Sequence, residues 1–423
     1  MTSTVRLRHI AQVNPSTPAF DRLSDDDVLT FIPMESVWPG DRLDLSARRT
    51  KASVATGFTR FQDGDVLVPK ITPTFEAARS VLISGLLGGV GAGTTELHVV
   101  RPGPTTEPRF LLYLVHTYGF LKLGKAAMYG VAGQQRVPDD FLRDLAVRLP
   151  SLEEQRRIAD FLDAETARID KLRNASQQQI ELLDESLISE FRVLTTGTDK
   201  EVRTTGVPWM PRMRNEWRLL KVGREFVTGS GTTPRSSEQR YFGGDYYWVN
   251  TGDLRDEFAV KPEKTLTEEA LNDYSALKLH PPGSLVVAMY GATTGRVGIL
   301  GVDSCVNQAC CVLNEVGAGS LSSAYVFYWF RAHRSKILEL ASGGGQPNIS
   351  QDLVRSLRVP APTRTEQDVL VDKATRVESS IRDRQEKIGE RVDLLKERRQ
   401  ALITAAVTGE FDVSAASGRG IEE

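Results

Sequence analysis

The chain aligns with itself. Shifted by 212 residues, the segment 133–197 overlays 345–409 without a gap, and 16 of the 65 pairs are identical. Unrelated sequences would match at roughly one pair in seventeen. The identities include Gly133/Gly345, Gln134/Gln346, Asp140/Asp352, Arg143/Arg355, Leu145/Leu357, Pro150/Pro362, Glu154/Glu366 and Gln155/Gln367. The same shift pairs Tyr113 with Tyr325, and Val5-Arg6-Leu7 with Trp217-Arg218-Leu219. A period this long is no solenoid repeat. It is a tandem duplication of a whole globular block with a tail behind it.

The tails read as helices. After Pro150, Ser151 is followed three residues later by Glu154, the spacing of a capping box; Thr363 and Glu366 repeat it after Pro362. Apolar residues recur at steps of three, four and seven: Ile158, Leu162, Ile169, Leu172, Ile180, Leu183, Leu187, Phe191 and Leu194. The second seam is Leu370, Ala374, Val377, Ile381, Ile388, Val392, Leu395 and Leu402. This is coiled-coil spacing. Gly197 and Gly409 supply helix stops. A helix of about 45 residues spans roughly 65 Å, and one apolar stripe of that length needs a partner. The partner is expected to be the other tail, packed antiparallel, with the two blocks at opposite ends of a pseudo-twofold dumbbell. The alternative is two helices each docked on its own domain.

The blocks read as mixed α/β (α+β). Tyr246–Val249, Val66–Lys70 and Leu285–Tyr290 are expected strands, and helices are expected over residues 110–123 and 324–340. The predicted organisation is domain one at 1–150, helical spacer 151–198, linker 199–212, domain two at 213–362, helical spacer 363–410 and tail 411–423.

Composition serves mainly to exclude. A net charge of −2 carries no global sign of nucleic-acid binding. By segment, residues 1–150 and 206–362 each hold 17 basic and 15 acidic side chains. Residues 151–205 hold 8 and 12, and 363–423 hold 11 and 13. Slightly positive blocks thus alternate with negative tails. No secretory signal core and no run of 18 apolar residues is visible, which points to a cytoplasmic protein with no membrane partner. Cys305, Cys310 and Cys311 form no Cys-x-x-Cys and read as buried reduced thiols, so neither a metal nor another cofactor is implied.

Catalytic motifs are missing. Gly291-Ala292-Thr293-Thr294-Gly295-Arg296 has the wrong spacing for a phosphate-binding loop and lacks its Lys. Residues 88–93 are glycine-rich without dinucleotide spacing and read as a flexible turn. Five scattered His residues and no paired carboxylates leave no evident catalytic constellation.

A family emerges from particular stretches. Met289 through Arg296, Asn307-Gln308-Ala309-Cys310-Cys311, Gly345-Gln346-Pro347-Asn348-Ile349 and residues 362–367 resemble the target recognition domain of type I restriction-modification specificity subunits. Residues 149–158, with Glu165 through Asp170, resemble that family's helical region. Block one lacks the Asn-Gln-Ala-Cys motif and the Gly-Thr-Thr-Pro turn. The resemblance implies a non-catalytic subunit with two recognition domains in tandem, held apart by an antiparallel helical pair. Each domain would read half of a split site in double-stranded DNA. Two methyltransferase (M) subunits and restriction-translocase (R) subunits would be its partners.

Reading DNA takes amides and guanidinium groups at base edges, and hydroxyl groups at phosphates. In block two the candidates are Thr232, Thr233, Arg235, Tyr290, Thr293, Thr294, Arg296, Gln346 and Asn348. In block one they are Lys70, Thr72, Tyr129, Gln134, Gln135 and Arg136. Each has a plain alternative as a solvated or structural polar residue. Asn307-Gln308 is expected to satisfy buried backbone rather than read a base. Two other readings stand beside this one: a coiled-coil scaffold presenting two protein-binding domains, and an enzyme in its own right.

Overall fold

The computed structural model describes residues 3–39, 42–131, 133–317, 319–341 and 348–413. Two compact units divide the chain: Met1–Gln177 with Gly389–Glu423, and Gln178–Ile388. Two helices of 45 residues, Leu152–Thr196 and Arg364–Thr408, each contribute one part to either unit.

The first unit contains β1 (Ser3–Arg6), β2 (Ala11–Val13), β3 (Val28–Ile32), β4 (Arg48–Thr50), β5 (Thr59–Gln62), β6 (Val66–Pro69), β7 (Val81–Leu82), β8 (Val90–Gly93), β9 (Leu97–Pro102) and β10 (Ala146–Leu149). One sheet runs β2-β9-β6-β7, another β4-β3-β8-β5, and β1 pairs with β10. Among the described residues of this unit, only β3 and β8 pair in parallel. Val66, Leu67 and Val68 on β6 are all fully buried, which is why that strand reads as an unbroken apolar run.

The second unit contains β11 (Val202–Val207), β12 (Met210–Arg214), β13 (Arg218–Lys221), β14 (Phe226–Ser230), β15 (Phe242–Val249), β16 (Glu257–Val260), β17 (Thr265–Leu266), β18 (Leu285–Ala288), β19 (Val297–Leu300), β20 (Ser304–Val306), β21 (Cys310–Glu315) and β22 (Arg358–Ala361). Its sheets are β14-β21-β18-β19-β16 and β17-β15-β20, with β13 on β22 and β11 on β12. The duplication is now visible where sequence identity has faded. β2-β9-β6-β7 matches β14-β21-β18-β19, and β4-β3-β8 matches β17-β15-β20, down to the parallel pairing of β15 with β20.

The long helices pack against each other antiparallel within each unit. In the first, Arg391 donates to Ser176 Oγ at 2.7 Å, and Ile158 and Leu162 share a core with Ile403, Ala406 and Val407. In the second, Gln385 donates to Asp184 at 2.8 Å, and Leu187, Phe191 and Leu194 meet Ala374 and Ile381. One helix number rises as the other falls, so the expected antiparallel pairing is present. The seam is uneven: Leu172 is 48% exposed, while Ile403, Ala406 and Val407, outside the expected stripe, are buried.

Three details differ from the sequence reading. The helix expected over 110–123 is two, Pro108–Val115 and Tyr118–Ala127, because the Thr117 side chain caps a new start at the Phe120 N–H. The glycine-rich segment is not a flexible turn, since its residues 90–93 form β8. A Cβ at Gly91 would lie 2.6 Å from the Phe61 ring, so the glycine admits a close ring rather than a bend. Residues 202–214 form the β11–β12 hairpin, with Trp209 packed on Trp329 and His333.

Candidate nucleic-acid interface

Equivalent polar clusters form where β6 and β18 end. In the first unit Lys70 follows β6; its N–H donates to the Glu96 carbonyl at 2.8 Å, and its own carbonyl accepts from Val137 N–H at 2.9 Å. In the second, Met289 follows β18. Its N–H donates to the Ala309 carbonyl and its carbonyl accepts from Ile349 N–H, both at 2.7 Å. Each strand end is thus clamped between the approach to β9 or β21 and the loop before a short helix, Asp139–Asp144 or Gln351–Ser356. Val137 and Ile349 are related by the 212-residue shift.

In the second unit the loop after β14 carries Thr232, Thr233 and Arg235. The Thr233 hydroxyl donates to Gln308 Oε1 at 2.6 Å, and Trp248 Nε1–H donates to the Thr232 carbonyl at 3.3 Å. The loop can pass this close to β20 only because residue 231 is Gly: a Cβ there would sit 1.7 Å from the Val306 carbonyl oxygen. The Arg235 side chain is 79% exposed, with only a 3.6 Å approach to Glu238. Tyr290 is about one-third exposed, and partial burial raises its hydroxyl pKa. Arg296 is exposed and makes no side-chain hydrogen bond or ion pair among the described residues. The two threonines between them serve the turn: Thr293 Oγ1 donates to the Thr251 carbonyl at 2.9 Å, and buried Thr294 donates to Gly291 at 2.6 Å. Asn348 is exposed beside Ile349; Gln346 lies outside the described residues.

In the first unit, Tyr129 and Arg136 exchange backbone hydrogen bonds at 3.1 and 2.9 Å. Tyr129 is 62% exposed and Gln134 is exposed; the Gln135 carbonyl accepts from Thr72 N–H at 3.0 Å. The Thr72 hydroxyl is buried with no partner among the described residues. Arg136 grips Glu96 with two hydrogen bonds of 2.9 and 2.7 Å, and this holds the carboxyl below its ordinary range. Lys70, close enough to Glu96 to favour its charge, lines a cavity of about 320 Å³ with Asn14, Thr17 and Arg60. Asn14 also contacts buried His98, whose Nε2 is 2.9 Å from the Val137 carbonyl. A carbonyl only accepts, so Nε2 carries the proton and Nδ1 accepts from Asn14 at 3.3 Å. Burial pulls the His98 pKa down to about 4.

The structure therefore gathers Lys70, Thr72, Tyr129, Gln135 and Arg136 at one strand end. It places Thr232, Thr233, Tyr290, Thr293, Thr294 and Asn348 on the loops around the other. One residue that the sequence argued against stands out. Asn307 does satisfy backbone, accepting from Ala309 N–H at 3.1 Å, but neighbouring Gln308 is exposed and held by Thr233. Alternation at a strand approach, which turns adjacent side chains to opposite sides, was the signal that could have separated the pair. All three cysteines are buried, and burial raises their thiol pKa values, that of Cys305 to about 11 and that of Cys311 to about 12.

Such paired domains, each followed by a long helix, define a class of protein built around a duplicated module. The model of the type I restriction modification DNA specificity domain matches residues 92–182 and 216–391, and the chain belongs to that family. It is 38% identical over 156 residues to the EcoAI specificity subunit of Escherichia coli, covering 36% of this chain and 26% of that one. It is 34% identical over 201 residues to the E. coli EcoEI specificity subunit, covering 47% and 32%. The chain thus spans no more than a third of the length of these two relatives. A putative MjaX specificity subunit of Methanocaldococcus jannaschii matches at 24% identity over 83% of this chain and 79% of its own. Two solved structures share the fold. One, from work on complex assembly and conformational transition of the type I R-M system, has a TM-score of 0.75 at 18% identity, covering 97% and 98% of the two chains. The HsdS subunit of Thermoanaerobacter tengcongensis gives 0.52 at 16% identity, covering 97% of each. Among the described residues, no helix is long and apolar enough to cross a membrane.

Proposed function

We propose that this chain reads an asymmetric, bipartite site in double-stranded DNA for a cytoplasmic type I restriction-modification complex, and does no chemistry itself. The domain at 1–150 reads one half-site and the domain at 213–362 the other; spacers 151–198 and 363–410 set the interval between them. Two methyltransferase subunits and the restriction-translocase subunits are positioned by this chain, and adenine modification takes place in the methyltransferase pockets. The observation that carries the reading is the equivalence of the two strand-end clusters. Each is polar and loop-built, and the first offers Lys70 and Gln134 where the second offers Tyr290, Gln308 and Asn348. The same scaffold with different side chains suits two different half-sites. Arg235 and Arg296, both exposed, suit phosphates or guanine edges.

The test is an exchange. Residues 213–362 are replaced by the matching segment of a relative, and modified adenines are mapped after expression with the methyltransferase subunit. One half of the site is expected to change while the other stays. A change in both halves together, or no duplex binding at low salt even with the methyltransferase present, contradicts the reading. The latter result would favour the protein-binding scaffold.

A further inference from the structure

Most arginines of the first unit have carboxylate partners: Arg60 with Asp21, Arg101 with Asp65, Arg109 with Asp160 and Asp163, Arg136 with Glu96. A second group does not. The loop between β3 and β4 carries Trp38 and Arg42, and Arg49 follows on β4. Arg79 ends the loop that starts at Lys70, just before β7. The guanidinium carbon of Arg79 lies 3.2 Å from the Trp38 ring centroid and that of Arg42 lies 4.3 Å from it. Arg49 stacks on Phe31 at 3.8 Å and lies 5.4 Å from Phe58. None of the three has a carboxylate within ion-pair distance among the described residues. Asp44, in the same loop, instead accepts from the Ser46 N–H at 2.8 Å.

Two like charges on one indole repel. Burial and the neighbouring Arg42 lower the pKa of Arg79, and its Nε is buried without a partner among the described residues. A cation–π contact is weak at such sites and supplies no counter-charge. Stacking does fix the plane of each guanidinium while leaving edge N–H groups open, which is the arrangement that suits a phosphate oxygen.

We propose that Arg42, Arg79 and Arg49 form a phosphate clamp that grips the backbone of the duplex at the half-site read by the first unit. This rests on the DNA-reading function proposed above. The clamp supplies affinity and register, and base preference comes from the strand-end cluster.

The test titrates the 423-residue chain with a 40-base-pair duplex of mixed sequence at several salt concentrations. It compares the wild type with Arg42→Gln/Arg79→Gln, Arg49→Gln and Arg79→Lys. Each lost phosphate contact lowers the slope of log K against log salt by about 0.9, so the double variant should lose about 2 and bind about tenfold or more weakly near 0.1 M salt. Arg79→Lys keeps the charge and should keep the slope. Base preference, selected from a random library, should be the same in every variant. Wild-type binding with unchanged slopes in the Gln variants, or an altered base preference, overturns the clamp alone. A wild type with no salt-dependent binding overturns the DNA reading and the clamp with it.

Discussion

His333 lies between Trp209 and Trp329, ring centroids 5.6 and 5.2 Å away, with its Nε2 buried and unpartnered among the described residues. Burial, reinforced by the charge of Arg192, pulls its pKa down to about 3. His116, fully enclosed beside Arg399, falls to about 4. Both are neutral in the folded chain at neutral pH. In the unfolded chain each takes up a proton near pH 6.5. Stability from these residues is therefore complete above about pH 6.5 and declines as pH falls towards the folded-state values, at up to roughly 1.4 kcal/mol per pH unit for each. His333→Phe keeps the ring contacts and removes one titration. Its urea midpoint should drop less than the wild type's between pH 7.5 and pH 5. An equal drop in both proteins would show that His333 is not the titrating group. None of this was legible in the sequence, where a lone His has no visible environment. The same limit explains Thr294 and Gln308. Nothing local distinguished a threonine that closes a turn on Gly291 from one that faces solvent. Nothing revealed that Gln308 would meet Thr233 from a loop 75 residues away.

At the scale of elements, the repeat was most legible where it joins domain to helix. Gln155 and Gln367 are both fully buried and perform the same task. Gln155 accepts from Glu107 N–H at 2.9 Å and donates to the Thr105 and Pro150 carbonyls at 3.0 and 2.9 Å. Gln367 accepts from Ser322 N–H at 2.8 Å and donates to the Ser320 and Pro362 carbonyls at 2.6 and 2.9 Å. Each glutamine staples the first turn of a long helix to the loop entering a domain helix, Pro108–Val115 or Ser323–Glu339. The capping boxes diverged more. Thr363 and Glu366 cap each other reciprocally, whereas Glu154 Oε1 pairs with Arg148 at 3.1 Å, leaving only Ser151 accepting from Glu154 N–H. Three polar backbone groups lose their partner in Gln367→Met, and each buried unsatisfied group costs about 1–3 kcal/mol. The variant should lose about 3 kcal/mol of stability in urea unfolding, and Gln155→Met a similar amount. A loss below about 1 kcal/mol in both would mean that water replaces the side chain. The hairpin of β11 and β12 lay beyond the repeat argument, because the gapless self-alignment stops at Gly197/Gly409.

At the scale of the molecule, the duplicated topology makes both long helices part of both units, as the spacing of the two apolar seams led one to expect. The division falls at Gln177/Gln178 in one helix and Ile388/Gly389 in the other, close to where Ser176 meets Arg391. If the helices set the interval between half-sites, as proposed, their length should be written into the DNA sequence. A heptad is the natural increment, since its removal brings the apolar seam back nearly into phase. Deleting seven residues from each helix at facing positions, around residues 177 and 389, shortens the pair by about 10 Å. At 3.4 Å per base pair, the unread interval between the two half-sites should contract by about three base pairs. Both half-site sequences should stay as they were, because no strand-end residue is touched. Mapping modified adenines for the deleted chain with its methyltransferase subunit reads the interval directly. An unchanged interval in a folded, active complex would show that the helices join the two readers without measuring the distance between them.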